Sequence, residues 1–481
     1  MNKVMNKIGK LIQKFNIEVA VFVFFIAIHL PFLGHEMFNT DVWKWKARTY
    51  DFGQGVFTLN FEKTIQKYHP GVTLMWAGTG AVKAYNLYYD LVLGQPPANN
   101  DVTTFELHFA QKLLLVTVIS LVLASCVYVL KREFGRRVAL FFGLLVSLEP
   151  FYYALTRVFH LEGLMSTLML ASFLWFYHYL QERKPFKLIL ASFFAALAFL
   201  TKTSSLYLVP FMALLAFLHQ FFKVSYFNEF PERAQLKDSG KISQVSYFLK
   251  IACLLLKQSI RRFFKVLYSL KWLKPFGIWL LLSYLGFYLF WPAMWTMPEK
   301  ALETVYRGVS TIGMERGHLQ IYFGEMTENP GPYYYLVVFA LRSSVVLFLG
   351  ILLSFFTFKW SDKKEKKFLL YTVLFTVFYA IQITIPSKKL DRYILPSILS
   401  LSLIVSFLFA HLYTRLKKGV GMVLILLILG WGIFNFVKLE KDYFSYFNPL
   451  FGGLETGMRI LEPKWIIGHH EMVDYLSSKE S

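Results

Sequence analysis

The sequence predicts an all-α polytopic membrane protein. The chain of 481 residues is 56% hydrophobic and 19% aromatic, and only 17% of its residues are charged, below the roughly 25% usual for soluble domains. Its apolar residues recur in runs of the length that crosses a bilayer as a helix, roughly 17 to 25 residues. Lys and Arg are concentrated in short loops between these runs, as in the cytoplasmic loops of membrane proteins.

The apolar runs predict about eleven transmembrane helices. The segment after Pro70, GVTLMWAGTGAVKAYNLYYDLVLG, is predicted to be interfacial or re-entrant, because counting it as a span would place every later basic loop outside the cell. The loops KREFGRR, QERKPFK, KWSDKKEKK and TRLKKG then share the cytoplasmic side with the N-terminus. The spans are expected near residues 17–33, 108–130, 138–155, 162–180, 186–201, 204–222, 276–295, 333–357, 367–385, 393–414 and 419–437.

These spans predict one membrane domain over residues 1–481, with a transmembrane core at 17–437. Around the core we expect a long first extracytoplasmic loop at 34–107 with interfacial helices, a cytoplasmic basic loop at 223–274 and an extracytoplasmic tail at 438–481. The basic N-terminus and first apolar run lack a small-x-small cleavage site, which indicates an uncleaved anchor. The protein is therefore expected to be integral to a plasma or inner membrane.

The basic loop contains SYFLKIACLLLKQSIRRFFKVLYSLKW, in which Lys250, Lys257, Arg261 and Lys265 recur on one helical face. This pattern predicts an amphipathic helix on anionic lipid, and a calmodulin-like partner site is the alternative. The formal net charge of +21 is explained by such loops, so no nucleic-acid partner is expected. Cys126 and Cys253 form no CxxC or Cys/His pattern, so neither a disulfide nor a zinc site is predicted.

The first predicted outer loop is unusually rich in polar and aromatic residues. Asp41 lies in FNTDVWKW, and Glu62, Lys63 and His69 follow in NFEKTIQKYHPG. Taken alone, Asp41 is typical of a solvated loop carboxylate. The centres of the predicted helices, however, carry few ionisable groups, whereas ion-coupled transporters usually need them there. This asymmetry favours a site on the outer face.

Further charged residues occur in the other predicted outer turns. Arg157 and Lys202 lie in tight turns where the positive-inside rule gives no reason for a cation. Each cation could bind a lipid phosphate, although a snorkelling side chain is the simpler interpretation. The cations in this group are Lys63, Arg157, Lys202, Lys388, Lys389 and Arg392.

Histidines raise the question of a metal. His160 and Glu162 share the turn TRVFHLEG, but two ligands are fewer than the three or four of a protein zinc site. His69 and His318 could complete a set, yet His69 is expected to fix its loop by a backbone hydrogen bond, and His318 is either a surface residue or a substrate contact. No metal or other cofactor is predicted.

The layout resembles the membrane-embedded GT-C glycosyltransferases, especially the group of protein O-mannosyltransferases and the aminoarabinose transferases that modify lipid A (glycosyltransferase family 39-like). In that family an Asp shortly after the first span is the catalytic base, and this position matches Asp41. FEK resembles the first-loop motif whose Lys helps to hold the donor phosphate, which matches Lys63. YHPGVTLMW resembles the end of the same loop.

The resemblance continues in order along the chain. TRVFHLEG is similar to the second outer loop, where the family carries another acid, matching Glu162, and ALAFLTKTSSLYLVP resembles the turn that carries Lys202. Later, GHLQIYFGE, PSKKLDRYILP and YFSYFNPLFGG are similar to the family's last outer loops and tail. In one departure, many relatives have a second acid directly after the base, whereas Val42 stands here.

The resemblance implies an inverting glycosyltransferase that uses a polyprenyl-phosphate-linked sugar on the extracytoplasmic face. Asp41 would be the catalytic base, and Lys63, Arg157, Lys202 and Arg392 would bind the donor phosphate. The acceptor would be a protein, a lipid or a glycan. A flippase or transporter of lipid-linked sugars and a non-catalytic scaffold are the alternatives. Five further residues are expected to contact substrate: Glu62, His69, His160, Glu162 and His318.

Overall fold

The computed structural model describes residues 16–35, 38–223, 244–312, 317–416, 418–439, 442–462, 465 and 468–480. The predicted basic N-terminal segment, residues 224–243 of the predicted cytoplasmic loop and parts of the tail lie outside the described residues. In the first half of the chain the helices are α1 (Ile17–His29), α2 (Thr40–Phe57), α3 (Val72–Tyr88), α4 (Asp101–Phe134), α5 (Arg136–Ser147), α6 (Pro150–Arg157), α7 (Leu161–Glu182), α8 (Pro185–Thr201) and α9 (Leu208–Lys223).

The second half adds shorter elements to the long helices. A hairpin of β1 (Gln320–Tyr322) and β2 (Glu325–Thr327) turns through Phe323 and Gly324, both with positive φ, as its two-residue turn requires. The helices here are α10 (Gln244–Ser269), α11 (Leu273–Phe290), α12 (Ala293–Thr296), α13 (Pro298–Arg307), α14 (Tyr334–Arg342), α15 (Val345–Leu353), α16 (Phe355–Trp360), α17 (Lys363–Thr384), α18 (Leu395–Arg415), α19 (Lys418–Lys438), α20 (Gly453–Ile460) and α21 (His469–Glu480).

The helical membrane architecture is confirmed, but the count of eleven spans is not. Each of the eleven predicted segments coincides with a helix or a bent helix pair. Within the described residues, six helices are long and apolar enough to cross a membrane, or up to eight if each bent pair counts as one span. Five predicted spans are not among the six: α1 and α8 are short, two spans are broken by sharp bends, and α7 has 22 residues but is not among the helices that are apolar enough.

Two predicted segments outside the spans are also helical. The segment after Pro70 forms α3, which is not among the six long apolar helices and packs against α2 and α4. The basic sequence predicted to be amphipathic forms α10. On its described part, Lys257, Arg261 and Lys265 are exposed, whereas the side chains of Lys250 and Cys253 lie outside the described residues.

The two bends meet each other. Pro150 cannot continue α5, so the chain turns by 65° between α5 and α6, and a second bend of 117° separates α14 from α15. At the contact, the Glu149 carboxylate accepts hydrogen bonds from the Ser344 backbone N–H (2.8 Å) and hydroxyl (2.6 Å). Glu149 therefore satisfies the polar groups that the break in α14–α15 exposes.

Helix α7 is the centre of the packing. Nearly all of its side chains are buried, and it lies against α4, α8 and α18. Small residues allow these close contacts; for example, the Ser172 hydroxyl donates to the Ala191 carbonyl of α8 at 2.8 Å. Because α7 is enclosed on all sides, charged residues at its two ends are held in fixed positions.

Candidate active site

The first helix after α1 places Asp41. The Asn39 side chain accepts hydrogen bonds from the backbone N–H groups of Asp41 and Val42, each at 3.0 Å, and thereby caps α2. Asp41 consequently lies in the first turn of α2, where the helix dipole favours a carboxylate. The motif FNTDVW thus specifies both the start of the helix and the position of its acid.

A second acid enters from α7. His160 is the extended residue that precedes α7, and Glu162 lies in the first helical turn. The His160 imidazole contacts both acids: its Nδ1 contacts the Glu162 carboxylate directly, and its Nε2 lies 3.8 Å from Asp41 Oδ2. The imidazole therefore stands between the two carboxylates.

Two cations complete this cluster. Lys202 follows the last residue of α8, and its Nζ donates to Glu162 Oε1 at 2.8 Å. Arg392 donates from Nε to the same oxygen at 3.1 Å and from Nη2 to Asp41 Oδ2 at 3.4 Å. We call Asp41, His160, Glu162, Lys202 and Arg392 the Asp41 cluster. It joins α2, α7, α8 and the turn before α18.

Asp391 and Arg392 are adjacent in the motif PSKKLDRYILP but contact different partners. Asp391 pairs with the buried Arg342 at the end of α14, at 2.9 Å. Arg342 also donates to the backbone carbonyls of Phe444 and Tyr446 in the tail, at 2.8 and 2.9 Å. Asp391 is thus paired with Arg342, while the Arg392 guanidinium contacts Glu162 and Asp41.

The tail contributes Trp465, which the sequence analysis did not identify. Its indole Nε1–H donates to Asp41 Oδ2 at 3.2 Å, and its ring lies 4.9 Å from the Arg392 guanidinium carbon. The ring also meets His160 edge to face, with centroids 5.4 Å apart. Nothing in the sequence around a single tryptophan in the tail indicated this contact, which depends on the fold-back of the tail.

His69 lies beside the cluster without joining it. Its Nδ1 is 3.0 Å from the Thr203 hydroxyl, so the expected backbone hydrogen bond is replaced by a side-chain contact. The loop is held by a bond from the Gly71 N–H to the Thr201 carbonyl, at 3.1 Å. Gly71 has a φ of 64°, and a Cβ there would lie 2.1 Å from the ring of Trp45, so only glycine fits.

The charges in and beside the cluster shift one another's protonation. Burial opposes the ionisation of Asp41, but His160, Arg392 and the hydrogen bond from Trp465 outweigh it, so the pKa of Asp41 lies below its usual value. Burial and the Lys202 and Arg392 charges lower the pKa of Lys388. The cations Lys202, Lys388 and Arg392 outnumber the two carboxylates, which suits a site that accepts an anion.

Arg157 is outside the Asp41 cluster, contrary to its predicted role on a donor phosphate. Its Nη1 donates to the His29 carbonyl at 2.6 Å and to the Tyr153 hydroxyl at 3.0 Å, and its Nη2 donates to the Pro31 carbonyl at 2.8 Å. The guanidinium thus satisfies carbonyls at the end of α1. These contacts indicate a structural cation.

Other predicted residues are also apart from the cluster. Lys63 is exposed and donates to Gln54 at 3.2 Å, while Glu62 pairs with Lys300 of α13. His318 is half-buried before β1 and is not among the described contacts of the Asp41 cluster. Lys389 turns toward Asn329, at 2.9 Å. Sequence proximity in the first loop did not bring its charges together, because helix α2 separates Asp41 from Glu62 and Lys63.

One group of described residues has the spacing of a metal site, and it lies away from Asp41. It consists of Glu133, His178 and Glu182 near the other end of α7. The Lys187 Nζ occupies this group, 2.5 Å from His178 Nε2 and 2.8 Å from Glu182 Oε1. An ammonium therefore stands where a metal ion would bind. The absence of a metal cofactor stays a prediction.

Comparison with known proteins gives one family and several structures. The family described as dolichyl-phosphate-mannose-protein mannosyltransferase matches residues 105–228. No curated protein matches the sequence. The structure of ArnT from Cupriavidus metallidurans bound to undecaprenyl phosphate is similar, with a TM-score of 0.50 and 14% identity over 89% of this chain. Apo ArnT gives a TM-score of 0.50 and 15% identity over 90%.

A third similar structure is the archaeal oligosaccharyltransferase AglB from Archaeoglobus fulgidus, in complex with an inhibitory peptide and a dolichol-phosphate. Its TM-score is 0.45, with 12% identity over 89% of this chain and 54% of AglB. This chain spans 65% of the length of the undecaprenyl phosphate-bound ArnT and 66% of apo ArnT. At these identities the two ArnT structures establish the fold alone. The chain is an integral membrane protein with the GT-C fold of ArnT, and it resembles the protein O-mannosyltransferase and aminoarabinose transferase group.

Proposed function

We propose that this protein is an inverting glycosyltransferase. It transfers a sugar from a polyprenyl-phosphate-linked donor to a protein, lipid or glycan acceptor on the extracytoplasmic face. The observation that carries the proposal is the Asp41 cluster, in which an ionised carboxylate lies next to Lys202 and Arg392, with Lys388 as a third cation beside the cluster. The partial match to a mannosyltransferase family and the undecaprenyl phosphate bound to ArnT support the donor class.

Asp41 acts as the general base. Its Oδ2 is engaged by Arg392 and Trp465, whereas its Oδ1 accepts no hydrogen bond among the described residues and lies 3.9 Å from Lys44 Nζ. An acceptor hydroxyl or amine can therefore donate to Oδ1. As its nucleophilic atom bonds to the anomeric carbon, its proton passes to Asp41. Such base catalysis contributes about a hundredfold to ten-thousandfold in rate.

The cations act on the departing phosphate. When the bond between the anomeric carbon and the phosphate oxygen breaks, its electron pair stays on the phosphate. Lys202, Lys388 and Arg392 offer fixed positive charge to this developing anion, which is the strongest form of transition-state stabilisation in a partly dry site. Glu162 holds Lys202 and Arg392 in place by accepting hydrogen bonds from both.

The outward orientation is part of the proposal and rests on the basic loops. Placing those loops in the cytoplasm puts Asp41 outside, since α1 separates it from the N-terminus. A transporter of lipid-linked sugars is a weaker candidate, because the described ionic clusters lie at helix ends. Cysteines introduced at the exposed positions His35 and Lys366 should be labelled from opposite sides by an impermeant thiol reagent.

The test of the reaction compares two acids. Asp41→Asn keeps the shape of the side chain but cannot accept the proton, so turnover should fall by at least about a hundredfold while donor binding survives. Sugar release from a radiolabelled polyprenyl-phosphate donor measures turnover, and detergent chromatography checks the fold. A well-folded Asp41→Asn protein with parental activity would overturn the mechanism. Glu162→Gln is the paired variant. If a folded Glu162→Gln protein loses turnover while Asp41→Asn keeps it, Glu162 is the base.

A further inference from the structure

The side chain of Trp465 covers the proposed base on one side. Its ring lies over the Arg392 guanidinium and meets His160 on one edge and Phe444 on another, with ring centroids 5.4 and 4.8 Å away. Trp465 is only 6% exposed although it belongs to the tail. Its contacts with Asp41, His160 and Arg392 join the tail to three of the five residues in the Asp41 cluster.

The hydrogen bond from Trp465 divides the Asp41 carboxylate into two unlike oxygens. The indole N–H and the Arg392 Nη2 both donate to Oδ2, at 3.2 and 3.4 Å. Two donors on one oxygen fix the rotation of the carboxylate and leave the other oxygen for a substrate. An indole is donor only, so it cannot take the proton that Asp41 receives.

A small cavity borders the indole of Trp465. It is bounded by apolar and aromatic side chains and by the Arg342 ion pair, and Arg392 also reaches it. Arg392 Nη1 has no hydrogen-bond partner among the described residues. Removing the indole would connect the cavity with the Asp41 carboxylate. The residues at its wall are Phe151, Leu155, Arg342, Asp391, Arg392, Phe444 and Trp465.

We infer that Trp465 is a positioning residue for Asp41, which holds Oδ2 so that Oδ1 faces the acceptor, and which shields the Oδ2 side of the carboxylate from water. This inference rests on the proposed function. Its chemical consequence is the fate of the donor sugar. With the indole in place the sugar passes to the acceptor, whereas without it water takes the acceptor's position and the sugar is hydrolysed. In both reactions the nucleophile loses a proton to Asp41 and the phosphate leaves with the bonding electrons.

The experiment distinguishes the effect of the indole N–H donor from the effect of the aromatic ring. Trp465→Phe keeps a ring but removes the donor, so kcat should fall about tenfold, as expected for a lost hydrogen bond to a charged group, with the donor KM unchanged. The acidic limb of the pH–kcat profile should move to higher pH. Trp465→His restores an N–H donor and should recover part of kcat. Trp465→Ala should raise the ratio of acceptor-independent sugar release to transfer several-fold.

Trp295→Phe is the matched control, because Trp295 donates its N–H to the Tyr288 carbonyl at 2.9 Å and is 45% exposed. It should keep the parental kcat, pH profile and hydrolysis ratio. If Trp465→Phe also keeps all three, the positioning role is wrong. If kcat and the donor KM of Trp465→Phe change together with its thermal stability, and Trp465→His gives no recovery, Trp465 is structural only.

A second measurement does not depend on catalysis. A water-soluble carbodiimide should modify Asp41 several-fold faster in Trp465→Ala than in the parent or in Trp295→Phe, as measured by peptide mass spectrometry. Equal rates in the parent and Trp465→Ala would overturn the shielding role. If the parent turns over no polyprenyl-phosphate sugar yet shows this protection, the proposed function fails and the shielding of Asp41 stands.

Discussion

The two ends of α7 carry ionic clusters that look alike and are organised differently. At the start of the helix, His160 stands between Asp41 and Glu162. Near its end, His178 contacts Glu133, and its Nε2 lies 3.8 Å from Glu182. Each cluster therefore contains a histidine between two carboxylates. The difference lies in how their cations are used.

The cluster near the end of α7 is internally satisfied. Lys187 Nζ lies within hydrogen-bond distance of both His178 Nε2 and Glu182 Oε1, and Lys364 pairs with Glu133 at 2.6 Å. These contacts join α4, α7, α8 and α17, and every described cation in them has an acid beside it. These ion pairs have a structural role, because they hold the four helices together and the removal of one partner leaves a buried charge.

The Asp41 cluster is not closed in this way. Arg392 Nη1 has no described hydrogen-bond partner, Asp41 Oδ1 accepts no described hydrogen bond, and Lys388 adds a nearby positive charge. Unused donors and acceptors in a partly buried site are expected where a substrate supplies the missing partners. The comparison shows that a buried histidine between two acids is not by itself a sign of catalysis.

The largest expected difference between the two ends comes from their acids. Glu162→Gln removes the charge that neutralises Lys202 and Arg392, and its side chain is only 1% exposed. Leaving buried cations uncompensated should cost about 3–5 kcal/mol of unfolding free energy. Glu182→Gln should cause a smaller loss, since Glu182 is 40% exposed and Lys184, one of its two lysine partners, is 66% exposed. Denaturant unfolding in detergent measures both, and equal losses would contradict the difference in burial.

Substitution of two buried lysines tests which end of α7 binds the donor. Lys202 and Lys187 are each 5% exposed and each pairs with a glutamate at 2.8 Å. Lys202→Gln should weaken the binding of a polyprenyl-phosphate sugar about tenfold, because a hydrogen bond to a charged phosphate is lost. Lys187→Gln should reduce stability and leave the donor Kd unchanged. Binding by titration calorimetry in detergent decides between them, and a weaker Kd in both would remove the functional contrast.

The smallest effect concerns pH and His69. Desolvation and the nearby Lys202 hold the pKa of His69 well below 6.5, so the unfolded chain binds a proton that the folded protein does not. The contribution of neutral His69 to the free energy of unfolding is fully present above pH 6.5. It declines as the pH falls, by about 1 kcal/mol between pH 6.5 and 5.5. His69→Asn should reduce this decline. Thermal unfolding at several pH values measures it, and an unchanged slope would show that other groups dominate.

Much of the fold follows from the sequence because apolar length and loop charge act locally. The eleven apolar runs all appear as helices or helix pairs, and the segment after Pro70 forms α3, whose interfacial placement stays a prediction. The bends at Pro150 and Ser344 were missed, since hydropathy measures composition and not direction. The contact of Glu149 with Ser344 depends on two breaks meeting in space.

The sequence by itself determined where the acids and cations of the proposed site lie along their helices. Asp41 lies in the first turn of α2 because Asn39 caps that helix, and Glu162 and Lys202 lie at helix ends where the dipole favours their charges. Only the tertiary structure decided which of the predicted cations meet: Lys202 and Arg392 converge on Glu162, whereas Arg157 is used by the carbonyls after α1. Likewise, only the fold-back of the tail brings Trp465 to Asp41 across 424 residues. Local patterns specify where a helix starts, but contacts between distant segments depend on how all the helices pack.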